Sequence, residues 1–349
     1  MATISLCMIV KNEEAVLKRC LDSVADLMDE IIIVDTGSTD KTEEIALEYT
    51  DKVYHFQWCD DFAAARNEAL SHATMDYIYT CDADEVLDDI NHQRFKKLKE
   101  ALLPEIDIVQ MYYLEDGIRT VLNTDRELRP KLFKRLRSFY YVDPIHETLR
   151  LDPVVFDSEI EIQHKPVGLH SGRDFKIFEK TYAKDRKFSH NVLSMYIKEL
   201  YKWGNPDDLS RAAKILEDVE YMGTLPDDLV QESFTILVRN ARVHHDLINM
   251  MRYSVRSASI EKMCAELCFE LGAYYYEIED YPEAIIWLHN VLFETECYID
   301  INIQGEKTFQ MLIDSCAKAA KETLDPPAKA YYERCVKEYT EKMQFYLNN

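Results

Sequence analysis

The chain has 349 residues, 47% hydrophobic and 30% charged, which suits a soluble globular protein of one large or two smaller domains and argues against disorder. A formal net charge of −23 argues against nucleic acid as a partner, because neutralising phosphates needs a basic surface, and it disfavours electrostatic attachment to an anionic membrane. Nine scattered cysteines with no CxxC pair point to a reducing compartment and to buried core thiols, Cys264 and Cys268 among them.

Ile4–Val10 reads as a buried strand running into Lys11-Asn12-Glu13-Glu14. A secretory leader would place its basic residues before the apolar run, and no stretch approaches the ~20 apolar residues of a transmembrane helix, so a cytoplasmic location is expected. Glu13–Ala25 has helical periodicity, with Val16, Leu17, Cys20, Leu21 and Val24 on one face. Ile31–Val34 is a second strand, and Thr39 or Asp40 can cap the helix that follows, with Glu43 and Glu44 in its first turn. Val53–Phe56 is a third strand, Phe62–Ala73 an alanine-rich helix, and Tyr77–Cys81 a fourth strand ending in Asp82-Ala83-Asp84-Glu85. This alternation predicts an α/β domain with a mainly parallel sheet. After Leu102, Ile108–Leu114, Lys131–Arg135 and Glu159–His164 read as strands without full crossover helices, hence as antiparallel additions at one side of the sheet. From about Ser171 the pattern is helical to the end of the sequence, with helix starts at Asn205-Pro206-Asp207 and Pro226-Asp227-Asp228. The pair Ala265–Glu279 and Pro282–Leu292 places Leu271, Gly272, Tyr275, Tyr281 and Ala284 at tetratricopeptide-like (TPR-like) positions. A plain helical bundle is the competing reading. The expected domains are 1–172 and 173–349.

In an open α/β sheet ligands bind outside the carboxyl ends of the strands, so the polar ends of the first, second and fourth strands can build one site. Asp82 and Asp84, one residue apart, suit a divalent cation that carries phosphates. Asp35 can accept hydrogen bonds from a base or ribose, and Gly37 lets the backbone turn tightly beneath a nucleotide. The same Asp35–Asp40 run also reads as a turn and a helix cap. A calcium loop is excluded, because Asp40 stands where that loop needs Gly. Asn12 and Glu13 either contact the nucleoside or begin a helix whose N-terminus favours carboxylates. Arg66 offers a planar fork for phosphate or base, with Asn67 beside it, or else a helix-surface salt bridge. There is no GxGxxG and no GxxxxGK.

Lys11–Glu14, Asp35–Asp40, Phe62–Asn67 and Asp82–Glu85, in this order and spacing over residues 4–90, resemble a family 2 glycosyltransferase of the GT-A fold. With Ile145-His146-Glu147 and the helical tail, the whole chain resembles bacterial glycosyltransferases with tetratricopeptide-like tails, including the S-glycosyltransferases of glycosylated bacteriocins. The resemblance implies that Asp84 ligates Mg²⁺ or Mn²⁺, that Asp82 reaches the ribose or a metal-bound water, and that His164 completes the metal shell or touches the diphosphate. It further implies inversion by direct displacement, which needs a base: Glu147 first, His146 second and Asp143 third. In the alternative, His146 and Glu147 only brace the acceptor loop. The expected function is transfer of a hexose or N-acetylhexosamine from a UDP-sugar to a Ser/Thr hydroxyl or Cys thiol of a peptide or protein. The helical domain would hold that acceptor or pair two subunits. The competing readings are a cell-surface saccharide or lipid-linked acceptor, a nucleotidyltransferase, and a non-catalytic sugar-nucleotide scaffold.

Overall fold

A computed structural model describes residues 2–114, 127–137, 141–142, 148–149, 153–165, 171–218, 223, 225–260 and 262–348. These residues divide into two compact units, the first ending at Phe178 and the second beginning at Glu179. The first unit is built on an eight-stranded sheet. In chain order its strands are β1 (Ile4–Val10), β2 (Glu30–Asp35), β3 (Val53–His55), β4 (Tyr77–Thr80), β5 (Glu85–Val86), β6 (Ile108–Leu114), β7 (Glu127–Lys134) and β10 (Val155–His164). The two-residue strands β8 (Tyr141–Val142) and β9 (Thr148–Leu149) pair separately.

The sheet order is β3-β2-β1-β4-β7-β6-β10-β5. Strands β3, β2, β1 and β4 are parallel, β7 runs antiparallel between β4 and β6, and β10 returns parallel to β6. All three late strands lie to one side of β4, but of the three expected as antiparallel only β7 runs against the parallel set, while β6 and β10 run with it. Strands β1, β2 and β4 are buried on both faces and accordingly are mainly apolar. Ile4, Leu6, Met8 and Val10 pack into one core with Leu17, Leu21 and Phe95. Cys7 points the other way, into a second core with Ile32, Val34, Ile78 and Ala69.

Helix α1 (Leu17–Val24) buries Leu17, Cys20, Leu21 and Val24, but it begins later than periodicity suggests because residues 14–16 form a turn. Helix α2 (Thr42–Leu47) has Lys41 at its N-cap without a side-chain cap. Neither Thr39 nor Asp40, the two expected caps, takes that position; Asp40 accepts from the backbone N–H of Thr42 at 3.0 Å and from its hydroxyl at 2.5 Å. Helix α3 (Phe62–Ser71) is capped by Asp61, whose carboxylate accepts from the Ala64 N–H at 3.0 Å, and it buries only Ala63, Ala65 and Ala69. Such small residues let the helix lie close on the sheet. Helix α4 (Asp89–Ala101), capped by Asp88, drives Phe95 edge-on against Tyr79 with ring centroids 5.1 Å apart.

In the described residues from Ser171 onward the secondary structure is helical: α5 (Ser171–Asp185), α6 (His190–Trp203), α7 (Pro206–Leu216), α8 (Asp227–Val243), α9 (Leu247–Ile260), α10 (Ala265–Glu277), α11 (Tyr281–Phe293), α12 (Glu306–Glu322) and α13 (Pro326–Asn348). Asn205 starts α7 with a reciprocal capping box, and α8 begins directly after Pro226. Helices α10 and α11 form the expected hairpin, with Tyr281 and Ala284 buried in its core.

Candidate active site

The loops that leave β1 and β2 are stitched together by their own polar groups. Asn12 adopts a left-handed conformation (φ 56°); its N–H donates to Ser38 Oγ at 3.0 Å, while its Oδ1 accepts from the Thr39 N–H at 2.8 Å. Asp35 is 3% exposed, and its Oδ1 accepts from the N–H groups of Gly37 at 2.6 Å and Ser38 at 2.7 Å. Gly37 has φ 103°, a value that L side chains rarely adopt. The Glu13 N–H donates to Thr42 Oγ1 at 2.7 Å. Both loops are thus held in shape without a ligand.

A cleft of about 210 Å³ opens at these strand ends. Lys11 and Glu13 line it after β1, Thr36 after β2, and Asp82, Ala83 and Asp84 after β4. Trp58, Phe62 and Arg66 form another wall, and His164 at the end of β10 completes it. Arg66 donates to Asp82 Oδ1 at 2.9 Å, and His164 Nε2 lies 2.9 Å from Asp84 Oδ2. Burial works to raise the Asp82 carboxyl, but Arg66, Lys131 and His164 outweigh it and hold it well below the usual carboxylate range. Asp82 is therefore an anion at any physiological pH.

Asp84 and His164 supply a hard oxygen and an imidazole nitrogen, a donor set compatible with Mg²⁺ or Mn²⁺. Among the described residues no three His, Cys, Asp or Glu groups form a ready-made metal cluster.

Residues 5–147 match the profile of Glycosyl transferase family 2. They form a family 2 glycosyltransferase domain. A TPR repeat-containing protein of Synechococcus elongatus is 55% identical over 87 residues, covering 25% of this chain and 22% of that protein. The SPbeta prophage-derived glycosyltransferase SunS of Bacillus subtilis is 37% identical over 117 residues, 33% of this chain and 28% of that one. The chain thus spans less than a third of either relative's length. Among solved structures, the glucosyl-3-phosphoglycerate synthase of Mycobacterium tuberculosis overlaps 54% of this chain and 82% of its own, at 17% identity and a TM-score of 0.42. Staphylococcus aureus TarS overlaps 74% and 92%, at 12% identity and a TM-score of 0.39. Likeness at that level says nothing of substrate or metal. The glycosyltransferase domain has the mixed, mainly parallel GT-A-like sheet, and an all-helical region follows it.

Within the glycosyltransferase domain, Glu13, Arg66, Asp82, Asp84 and His164 come together in the cleft. Asn12, Asp35 and Gly37 shape the loop beside it and are not among its lining residues, nor is Asn67, the neighbour of Arg66 on α3. Glu147, His146 and Asp143 lie outside the described residues. Phe62 opens the Phe62–Asn67 motif, but Trp58 carries no motif that marks it from sequence; the two rings meet edge to face at 4.8 Å, and the Trp58 indole N–H donates to Asp60 at 3.0 Å. Glu85 was legible as part of the acidic motif and Lys131 as part of a strand, but their pairing is a product of the fold.

Proposed function

We propose that the protein is an inverting, metal-dependent glycosyltransferase that moves a hexose or N-acetylhexosamine from a UDP-sugar to a hydroxyl or thiol of a peptide or protein. The observation that carries this reading is the convergence of Arg66, Asp82, Asp84 and His164 in one cleft at the ends of β1, β2, β4 and β10 beside a family 2 match. Asp84 and His164 would hold Mn²⁺ or Mg²⁺, which supplies charge neutralisation to the departing diphosphate. Asp82, kept anionic by Arg66, accepts from the ribose or from a water of the metal shell. Lys11 adds a positive side chain on the β1 side of the cleft. Glu147 is the proposed base, with His146 as its alternate; a thiol acceptor asks less of either because a thiol ionises more readily than an alcohol.

The acceptor reading rests on the helical unit and on the relative named for TPR repeats, since stacked helical hairpins present broad surfaces for polypeptides. Leu247, Ile248, Met251 and Val255 are exposed along α9, where an acceptor chain or a second copy would find apolar area. No described helix is long and apolar enough to cross a membrane.

The test is release of UDP from UDP-glucose and UDP-GlcNAc with Mn²⁺, in the presence of Cys-containing and Ser-containing peptides. Turnover that stops on chelation is expected, and Glu147→Gln should lower kcat for a hydroxyl acceptor by about 10²–10⁴ without weakening UDP binding. No turnover with any sugar nucleotide and acceptor would refute the enzyme and leave the scaffold.

A further inference from the structure

Along Asp82–Glu85, Asp82, Ala83 and Asp84 line the cleft, while Glu85 turns inward and is 1% exposed. A turn in which the Glu85 N–H donates to the Asp82 carbonyl at 3.1 Å carries the chain from the cleft to the inward side. On the inward side Glu85 pairs with Lys131 of β7, itself only 7% exposed. The pair spans the sheet. Glu85 lies on the edge strand β5 opposite His164 of β10, whereas Lys131 lies three strands in, on β7, with β10 and β6 between. Tyr113 of β6 fills the space between, with its ring centroid 5.4 Å from Lys131 Nζ, 5.3 Å from the His164 ring and 3.9 Å from the Arg129 guanidinium. The second carboxylate oxygen of Glu85 is buried and has no hydrogen-bond partner among the described residues, so Lys131 alone orients that side chain.

An apolar pair of the same volume would hold strands together at least as well, because two buried charges cost about as much in desolvation as their attraction returns. Fixed direction is what an apolar pair cannot supply. We propose that Glu85 and Lys131 are positioning residues, a buried ion pair that clamps the Asp82–Asp84 turn to the centre of the sheet so that both carboxylates and His164 face a metal-bound nucleoside diphosphate. The clamp rests on the proposed donor site, and it acts through Asp82, Asp84 and His164 without touching the ligand itself.

The experiment is calorimetric titration of the full-length protein with UDP, with and without Mn²⁺, for wild type, Glu85→Gln and the neutral double variant Glu85→Gln/Lys131→Met. The double variant leaves no lone buried charge and therefore keeps a folded protein in the comparison, checked by near-ultraviolet circular dichroism. Removal of groups that orient metal ligands weakens metal affinity by about 10–100-fold. The expected result is a loss of that size in Mn²⁺-dependent UDP affinity for both variants, with metal-free UDP affinity changed less than about threefold. A folded variant with lowered Tm and Mn²⁺-dependent affinity within about threefold of wild type would overturn the clamp. Wild type that shows no Mn²⁺-dependent binding would instead sink the donor site on which the clamp depends.

Discussion

Glu30 shows how one buried carboxylate secures the end of the sheet away from the cleft. Its side chain is 1% exposed, yet it accepts from Lys52 Nζ at 2.5 Å, from Ser5 Oγ at 2.5 Å, and from the N–H and hydroxyl of Thr74 at 2.8 and 2.9 Å. Burial pushes its pKa up, but these donors outweigh burial and lower it from 4.5 to about 2. Because the folded value lies below the unfolded one, the stabilisation is present above pH 4.5 and disappears as pH falls toward 2. The gap corresponds to about 3 kcal/mol. Glu30→Gln should therefore melt well below wild type at pH 7, with the difference closing near pH 2–3 in a series of thermal melts. A difference independent of pH would mean that packing rather than charge holds this end of the sheet.

At the level of elements, legibility followed burial pattern. Strands β1, β2 and β4 were readable because both their faces are buried and their residues are mainly apolar. Helix α4 was not, because its buried side reduces to Asn91 and Phe95 among charged neighbours, too thin a stripe to read as periodicity. Strand β5 was invisible for another reason: its two residues belong to the acidic motif and pair only with β10, far along the chain. The α10–α11 hairpin was legible through Gly272, and the structure gives the cause. A Cβ there would sit 2.9 Å from the Leu288 side chain and 3.4 Å from its backbone nitrogen. Mid-helix Gly→Ala ordinarily gains about 1 kcal/mol. Gly272→Ala should instead lose about 1–3 kcal/mol through overpacking, read as a lower midpoint in urea unfolding monitored at the helical signal. A stabilised variant would show that the hairpin opens without cost.

Across the whole molecule, the cleft was legible as a set of strand ends, but its walls and floor were not. The Glu85–Lys131 pair depends on which strands neighbour one another, and spacing along one chain does not carry that information. The thiols report on the same folding. Of nine cysteines only Cys59 is exposed, the other eight being buried as their apolar flanks imply. Burial also pushes thiols such as Cys268 up, to about 12, which removes the reactive thiolate. Titration with a thiol reagent should give one fast equivalent in the native protein and nine after denaturation; several fast native equivalents would contradict the two packed units. The donor site itself is tested most directly by a crystal structure with UDP and Mn²⁺, read in an anomalous difference map. The manganese peak is expected within about 2.5 Å of both an Asp84 carboxylate oxygen and His164 Nε2, with the diphosphate on its open side between Lys11 and Arg66. A peak elsewhere, or UDP bound away from the β1, β2 and β4 strand ends, would contradict it.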